Sequence, residues 1–198
     1  MAQLEVKPVT LQGKHVRLEP MTEAHILGLT EIGAGQTFWD FMVYGNINTE
    51  DDMRGWVMDL RSRAEKGTDL PFVAIHLASG RVAGATRYLN IMPKDRGLEI
   101  GGTWYGIEYQ RSPVNTECKY LLLKHAFETL GCIRVQLKTD SRNERSQKAI
   151  ERIGAKREGV LRNHMILPDG FIRDSVFYSI LDTEWGDVKK RLEEMLAR

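Results

Sequence analysis

Cysteine is scarce in this chain. Its 198 residues hold two, Cys118 and Cys132, and neither sits in a CxxC pair or a Cys/His cluster. Zinc frameworks need such sets, so no metal is expected. The five histidines, at 15, 25, 76, 125 and 164, show no metal or triad spacing either. Long apolar runs are also missing: no stretch of 18 apolar residues occurs, so no membrane-spanning helix is expected. The opening MAQLEVKPVTLQG has no apolar h-region and reads as lacking a signal peptide, which with reduced thiols points to the cytoplasm. Charge of one sign is not in excess, since 28 Lys+Arg meet 27 Asp+Glu. That balance argues against a nucleic-acid binder driven by a broad basic field.

What remains is a pattern of strands and helices that fits one domain over residues 1–198. Residues 9–19 read as a strand ended by Pro20. Thr22 caps a helix in which Ile26, Leu29 and Leu27 face inward. Residues 33–48 have no period but hold Phe38, Trp39, Phe41, Met42 and Tyr44. Thr49 caps a second helix, stopped by Gly67. PFVAIHLAS and RVAGATRYLNI form a hairpin about Ser79-Gly80. CIRVQLKTD alternates Val135 and Leu137 against Gln136 and Lys138. Ser141-x-x-Glu144 resembles a capping box for a short helix closed by Gly154. Strands follow near 156–166 and 171–181, and Trp185, Val188, Leu192 and Met195 form one stripe of a terminal helix. The sum is an α+β fold with a mixed, mostly antiparallel sheet.

The chain is organised around residues 98–117, LEIGGTWYGIEYQRSPVNTE. Leu98, Ile100 and Trp104 suit a strand, and Gly101-Gly102 marks a bulge or a close backbone approach. Gln110–Thr116 forms a polar turn, and ECKYLLLKHAFETLG reads as a helix ending at Gly131. Strand, tight loop and helix N-terminus can bind phosphate, because free N–H groups and the dipole converge there.

Gln110 opens a segment similar to the pyrophosphate signature of the GNAT acetyltransferases, Q/R-x-x-G-x-G/A, with Pro113 and Asn115 replacing small residues. Downstream, Asn143-Glu144-Arg145-Ser146, Ile153-Gly154-Ala155, Glu158-Gly159, Arg173-Asp174, Tyr178–Leu181 and Glu184-Trp185 fall at that family's spacing. The series resembles the branch that holds the ribosomal-protein N-terminal (alanine/serine) acetyltransferases. It covers about residues 9–185, with 186–198 as a terminal helix.

The resemblance implies a GNAT-like fold with a V-shaped opening between the fourth and fifth strands, and acetyl-CoA or coenzyme A as co-substrate. The cofactor set it implies is Trp104, Tyr105, Gln110, Arg111, Ser112, Val114, Asn115, Thr116, Asn143, Ser146 and Arg152. Backbone N–H groups of Val114, Asn115 and Thr116 would face the diphosphate, and Asn115 tolerates the left-handed backbone glycine usually supplies there. Glu117, repulsive to phosphate, is expected to point away. Asn143 and Ser146 are either local caps or contacts to the pantetheine arm and the sulfur. Glu99 is either a cross-strand ion pair or a base for the acceptor amine. Phe38, Trp39 and Phe41 are either core or an acceptor wall, with His164 near the same channel. Backbone donors around Trp104–Gly106 would hold the oxyanion. Ile150 stands where many GNAT enzymes carry a tyrosine acid, so Ser146 is expected to steady the thiolate. The implied acceptor is a small amine or a protein N-terminus; no nucleic acid or membrane partner is expected, and a homodimer stays open. A non-catalytic acyl-CoA-binding module is the alternative.

Overall fold

The computed structural model describes residues 4–197. One sheet of eight strands organises it, in the order β1 (Leu11–Gln12), β2 (Val16–Pro20), β3 (Leu70–His76), β4 (Arg81–Met92), β5 (Gly97–Tyr105), β6 (Arg134–Asp140), β8 (Ile172–Leu181), β7 (Lys156–Ile166). Every neighbouring pair is antiparallel except β5 and β6, which run parallel. The helices are α1 (Ile26–Gly33), α2 (Glu50–Glu65), α3 (Pro113–Lys124), α4 (Glu144–Arg152) and α5 (Trp185–Leu196).

Alternation along the strands builds a core on each face. On one face Leu98, Ile100, Val135, Leu137, Val176 and Tyr178 meet Val114, Cys118 and Leu122 of α3, Ile150 of α4 and Leu192 of α5. On the other, Val73, Ala85 and Trp104 meet Leu29 of α1, Trp39, and Met53, Trp56 and Leu60 of α2. Each fully buried valine, leucine, isoleucine or methionine among them stabilises the fold by roughly 1.5–3 kcal/mol.

Several local expectations hold. Thr49 caps α2 by accepting from Asp52 N–H, while the Asp52 carboxylate accepts from Thr49 N–H, a reciprocal box. The strands near 156–166 and 171–181 are β7 and β8, and the 185–195 stripe buries Trp185, Val188 and Leu192. Others are corrected. The first strand is a short hairpin, β1 and β2, bent at Gly13. Leu27 is 68% exposed, because the buried arc of α1 runs through Ile26, Leu29, Ile32 and Gly33. α3 begins at Pro113, inside the expected turn: Ser112 is a good cap, and proline fits the first helical position, where no N–H is needed. The helix tightness changes at His125–Thr129, a π turn closed by Gly131 at φ +69°. The cap of α4 is Asn143, not Ser141, and its Oδ1 accepts from Ser146 N–H at 2.9 Å.

Candidate active site

β5 and β6 pair at only three positions, Gly97–Arg134, Leu98–Val135 and Glu99–Gln136. β5 then runs six residues further to Tyr105 and β6 four further to Asp140 without pairing to each other. The two strands therefore part, and this is the V-shaped opening; the added β1 makes them the fifth and sixth strands. A bulge starts the open stretch. Ala85 pairs Trp104 while Arg87 pairs Gly101, so β5 carries one extra residue, and Gly102 sits at φ +57°. Gly101, Gly102 and Thr103 are half-exposed between buried neighbours, which marks them as the lining of the opening.

The backbone of the next residues sorts by alternation. Gly106 N–H donates to Ala83 O at 3.0 Å, so it is not available to an oxyanion as the sequence suggested. Tyr105 N–H and C=O, one residue back, face away from β4. Gln110 Nε2 donates to the Tyr105 carbonyl at 3.1 Å. The side chains of Trp104 and Tyr105 are buried on opposite faces, with Trp104 among Phe38, Trp39 and Trp56 at 5.2, 5.2 and 5.9 Å between ring centres. Any contact of these two residues with a cofactor thus falls to their main chain.

The loop into α3 is tightly specified. Ser112 Oγ donates to Tyr109 O at 2.6 Å and accepts from Val114 N–H at 3.3 Å. The left-handed residue is exposed Arg111, at φ +60°, and not Asn115, which lies within the helix. Asn115 is half-exposed in the first turn, and the Val114 side chain is core. Arg152, at the end of α4, donates to Thr116 Oγ1 at 3.0 Å, which brings a cation to the positive end of α3. Glu117 turns away as expected: its carboxylate accepts from Lys14, His15 and Val16 N–H at 2.8, 2.6 and 2.7 Å. A phosphate-bearing chain fits this corner, which offers first-turn N–H groups and the cations Arg152 and Arg191, with Glu194 in the same cavity. Asn143 and Ser146 start α4, Ser146 half-buried.

Glu99 lies at the point where the strands part. It is 2% exposed, and its carboxylate accepts from Asn90 Nδ2 and Gln136 Nε2 at 2.9 Å each and from Lys138 Nζ at 2.8 and 3.0 Å. Three of these bonds end on Oε2, so Oε1, with Lys138 alone, keeps an acceptor site open. His164 stands on the same side: its Nδ1 is 3.0 Å from Ser175 Oγ, and burial, Lys138 and Arg173 hold it below the ordinary histidine range. Arg173 Nε donates to Ser175 Oγ and its guanidinium to Phe41 O at 3.0 Å. Phe41, Arg173, Ser175 and His164 thus form one connected group. Phe38 and Phe41 keep part of their surface exposed, whereas Trp39 is 1% exposed and its Nε1 donates to Gly33 O at 2.7 Å, a core position. Both cysteines are unfit as nucleophiles, since burial pushes Cys118 up to about 12 and Cys132 up to about 11.

Thr103 and Lys119, which the sequence did not single out, meet behind the opening. Lys119 is buried in α3, and its Nζ donates to Thr103 Oγ1 at 2.8 Å. The visible signal was a lysine three and four residues before Leu122 and Leu123, both on the buried stripe.

Residues 15–156 match the acetyltransferase (GNAT) domain. The chain belongs to the GNAT acetyltransferases. Among relatives, it is 33% identical over 113 residues to YdaF of Bacillus subtilis (strain 168), provisionally named a ribosomal N-acetyltransferase. That match spans 57% of this chain and 61% of YdaF. Among solved structures, a GCN5-related N-acetyltransferase from Brucella melitensis superposes with a TM-score of 0.91 at 28% identity, covering 98% of this chain and 88% of that one. A protein from T. thermophilus, provisionally described as an acetyltransferase, gives 0.88 at 39% identity, covering 97% and 99%. In this GNAT chain no described helix is long and apolar enough to cross a membrane.

Proposed function

We propose that this GNAT chain transfers the acetyl group of acetyl-CoA to a primary amine, with a protein N-terminus as the leading acceptor. The observation that carries the reading is the parting of β5 and β6 after three pairs, with glycines lining the gap. An extended thioester-bearing arm lies in that gap, its diphosphate against the first turn of α3 and Arg152, its pantetheine beside Asn143. The amine approaches on the Glu99 side, walled by Phe38, Phe41 and His164. Glu99 Oε1 accepts a proton of the incoming ammonium, directly or through water, and the neutral amine attacks the thioester carbon. Main-chain N–H of Tyr105 faces the developing oxyanion, and the Ser146 hydroxyl hydrogen-bonds the departing sulfur. YdaF's name, which calls it a ribosomal N-acetyltransferase, supports an amine of a ribosomal component as acceptor.

Release of free thiol from acetyl-CoA tests the reading, with seryl- and alanyl-terminated peptides set against polyamines and free amino acids. Turnover with a peptide supports it. Coenzyme A binding by calorimetry without turnover on any amine would point to a binding module, and no binding at all would refute the reading. Arg152→Ala, at an exposed position, is expected to weaken coenzyme A about tenfold, the effect of losing roughly 1.4 kcal/mol. Glu99→Gln is expected to flatten the alkaline-rising limb of the pH–rate profile.

A further inference from the structure

Lys119 is an ammonium with nowhere obvious to put its charge. It is 7% exposed, and no carboxylate lies within ion-pair distance of it among the described residues. The neighbouring acid on its own helix, Glu117, is committed to the N–H groups of Lys14, His15 and Val16. The titratable group that acts on it, Cys118 beside it on α3, is pushed up to about 12 by burial and is neutral near pH 7. Burial lowers Lys119 to about 8. A buried, unpaired lysine weakens the fold, and a leucine or methionine would fit the same stripe without that penalty. Strain of this kind is commonly kept where chemistry uses it.

Its single hydrogen-bond partner leads to the opening. Thr103 Oγ1 accepts from Lys119 Nζ at 2.8 Å and stands 2.8 Å from Thr86 Oγ1. A hydroxyl oxygen can accept both, from Lys119 and from Thr86, and still have its own proton to give. Thr103 is half-exposed on the stretch of β5 that has no β6 neighbour. Its side chain is on the α3 face, opposite Glu99, as its bond to Lys119 shows.

We infer that Lys119, acting through the Thr103 hydroxyl, supplies the proton taken up by the departing thiolate. The inference rests on the acetyl-transfer reading above and fills the place left by Ile150. The balance is simple. The amine nitrogen forms a bond to the acetyl carbon and the carbon–sulfur bond breaks, its electron pair going to sulfur. Thr103 O–H protonates sulfur, Lys119 N–H reprotonates the Thr103 oxygen, and Lys119 is left neutral. The proton shed by the amine leaves on the Glu99 side, and solvent restores Lys119. Ser146 donates a hydrogen bond to sulfur without giving up its proton.

The test uses the thiol of bound coenzyme A, so it needs no acceptor. Its ionisation is read from thiolate absorbance in the far ultraviolet as pH is raised, in wild type, Lys119→Met and Thr103→Val. A nearby ammonium favours the thiolate, so the bound thiol is expected to titrate about one unit lower in wild type than in Lys119→Met. With any accepted peptide, Lys119→Met is expected to lower kcat by about a hundredfold and to erase the falling limb above about pH 8, with little change in coenzyme A affinity. Thr103→Val should reproduce that loss, and the double variant should lose no more, as for residues that act as a unit. Identical thiol titrations in wild type and Lys119→Met, with coenzyme A bound by both, would overturn the assignment and leave the acetyl-transfer reading standing. So would a uniform loss of rate with an unchanged pH profile. Failure of the wild type to bind coenzyme A would overturn both.

Discussion

Two buried charges lie behind the two faces of β5, and they are treated in opposite ways. Glu99 is 2% exposed and accepts four hydrogen bonds, two of them from the cation Lys138. Lys119 is 7% exposed and makes one, to a neutral hydroxyl. A charge removed from water must be repaid by partners, or it shifts its equilibrium toward the neutral form. The Glu99 side is built to hold a charge in place. The Lys119 side is built so that the charge is easily given up. An acyl transfer has the same asymmetry: one flank meets a cationic nucleophile, the other a departing anion that needs a proton.

Stability measurements can break this contrast. The largest expected effect is at Glu99→Ala, which strands Lys138, Asn90 and Gln136 and should cost about 3–5 kcal/mol in denaturant unfolding. A loss under about 1 kcal/mol would mean that water replaces the carboxylate and that the pair holds little together. The next is opposite in sign. Lys119→Met should raise stability at pH 7 by about 1–3 kcal/mol, because it removes a buried charge without changing much volume. The pH dependence follows from the shift. Lys119 loses its proton near 8 in the fold and near its ordinary value of 10.5 when unfolded. Below pH 8 both states are protonated and the fold carries the full penalty. Between pH 8 and 10.5 the unfolded chain binds more protons, so the penalty fades as pH rises. The gap between variant and wild type should therefore be widest below pH 8 and close by about pH 10.5; a gap constant with pH would mean the benefit is packing alone. The smallest effect is at the bulge between the two charges. Gly102→Ala forces an L-residue to φ +57° and should cost about 1–2 kcal/mol, seen as a lowered Tm.

Much of the architecture was legible because local signals agreed with the final packing. The strands expected near 156–166 and 171–181, on either side of Pro168-Asp169-Gly170, are β7 and β8, and Gly101-Gly102 announced a bulge that the strand register confirms. The opening itself was not legible, since alternation marks faces and says nothing about where two parallel neighbours stop pairing. The start of α3 was misplaced because Gln110–Thr116 has turn-like composition, yet Ser112-Pro113 is as good a helix start as a turn. Site residues divided likewise. Arg152 was drawn from the resemblance, and its bond to Thr116 gives it a place at the helix end. Lys119 escaped because a lysine beside apolar residues reads as a snorkelling surface chain; only three dimensions show that its end points inward.

Glu117 has a consequence for the anion corner. A carboxylate one turn into α3 lies close enough to weaken the field that a diphosphate needs. The hairpin at Gly13 prevents this by drawing the carboxylate onto three of its own N–H groups. The fit is close, because a Cβ on Gly13 would collide with the Glu117 carboxyl group. The β1–β2 hairpin therefore works as a trap for this carboxylate, holding the Glu117 charge away from the ligand's corner. Affinity for a phosphate group at α3 is thus set partly by the hairpin at Gly13, which the ligand need never touch.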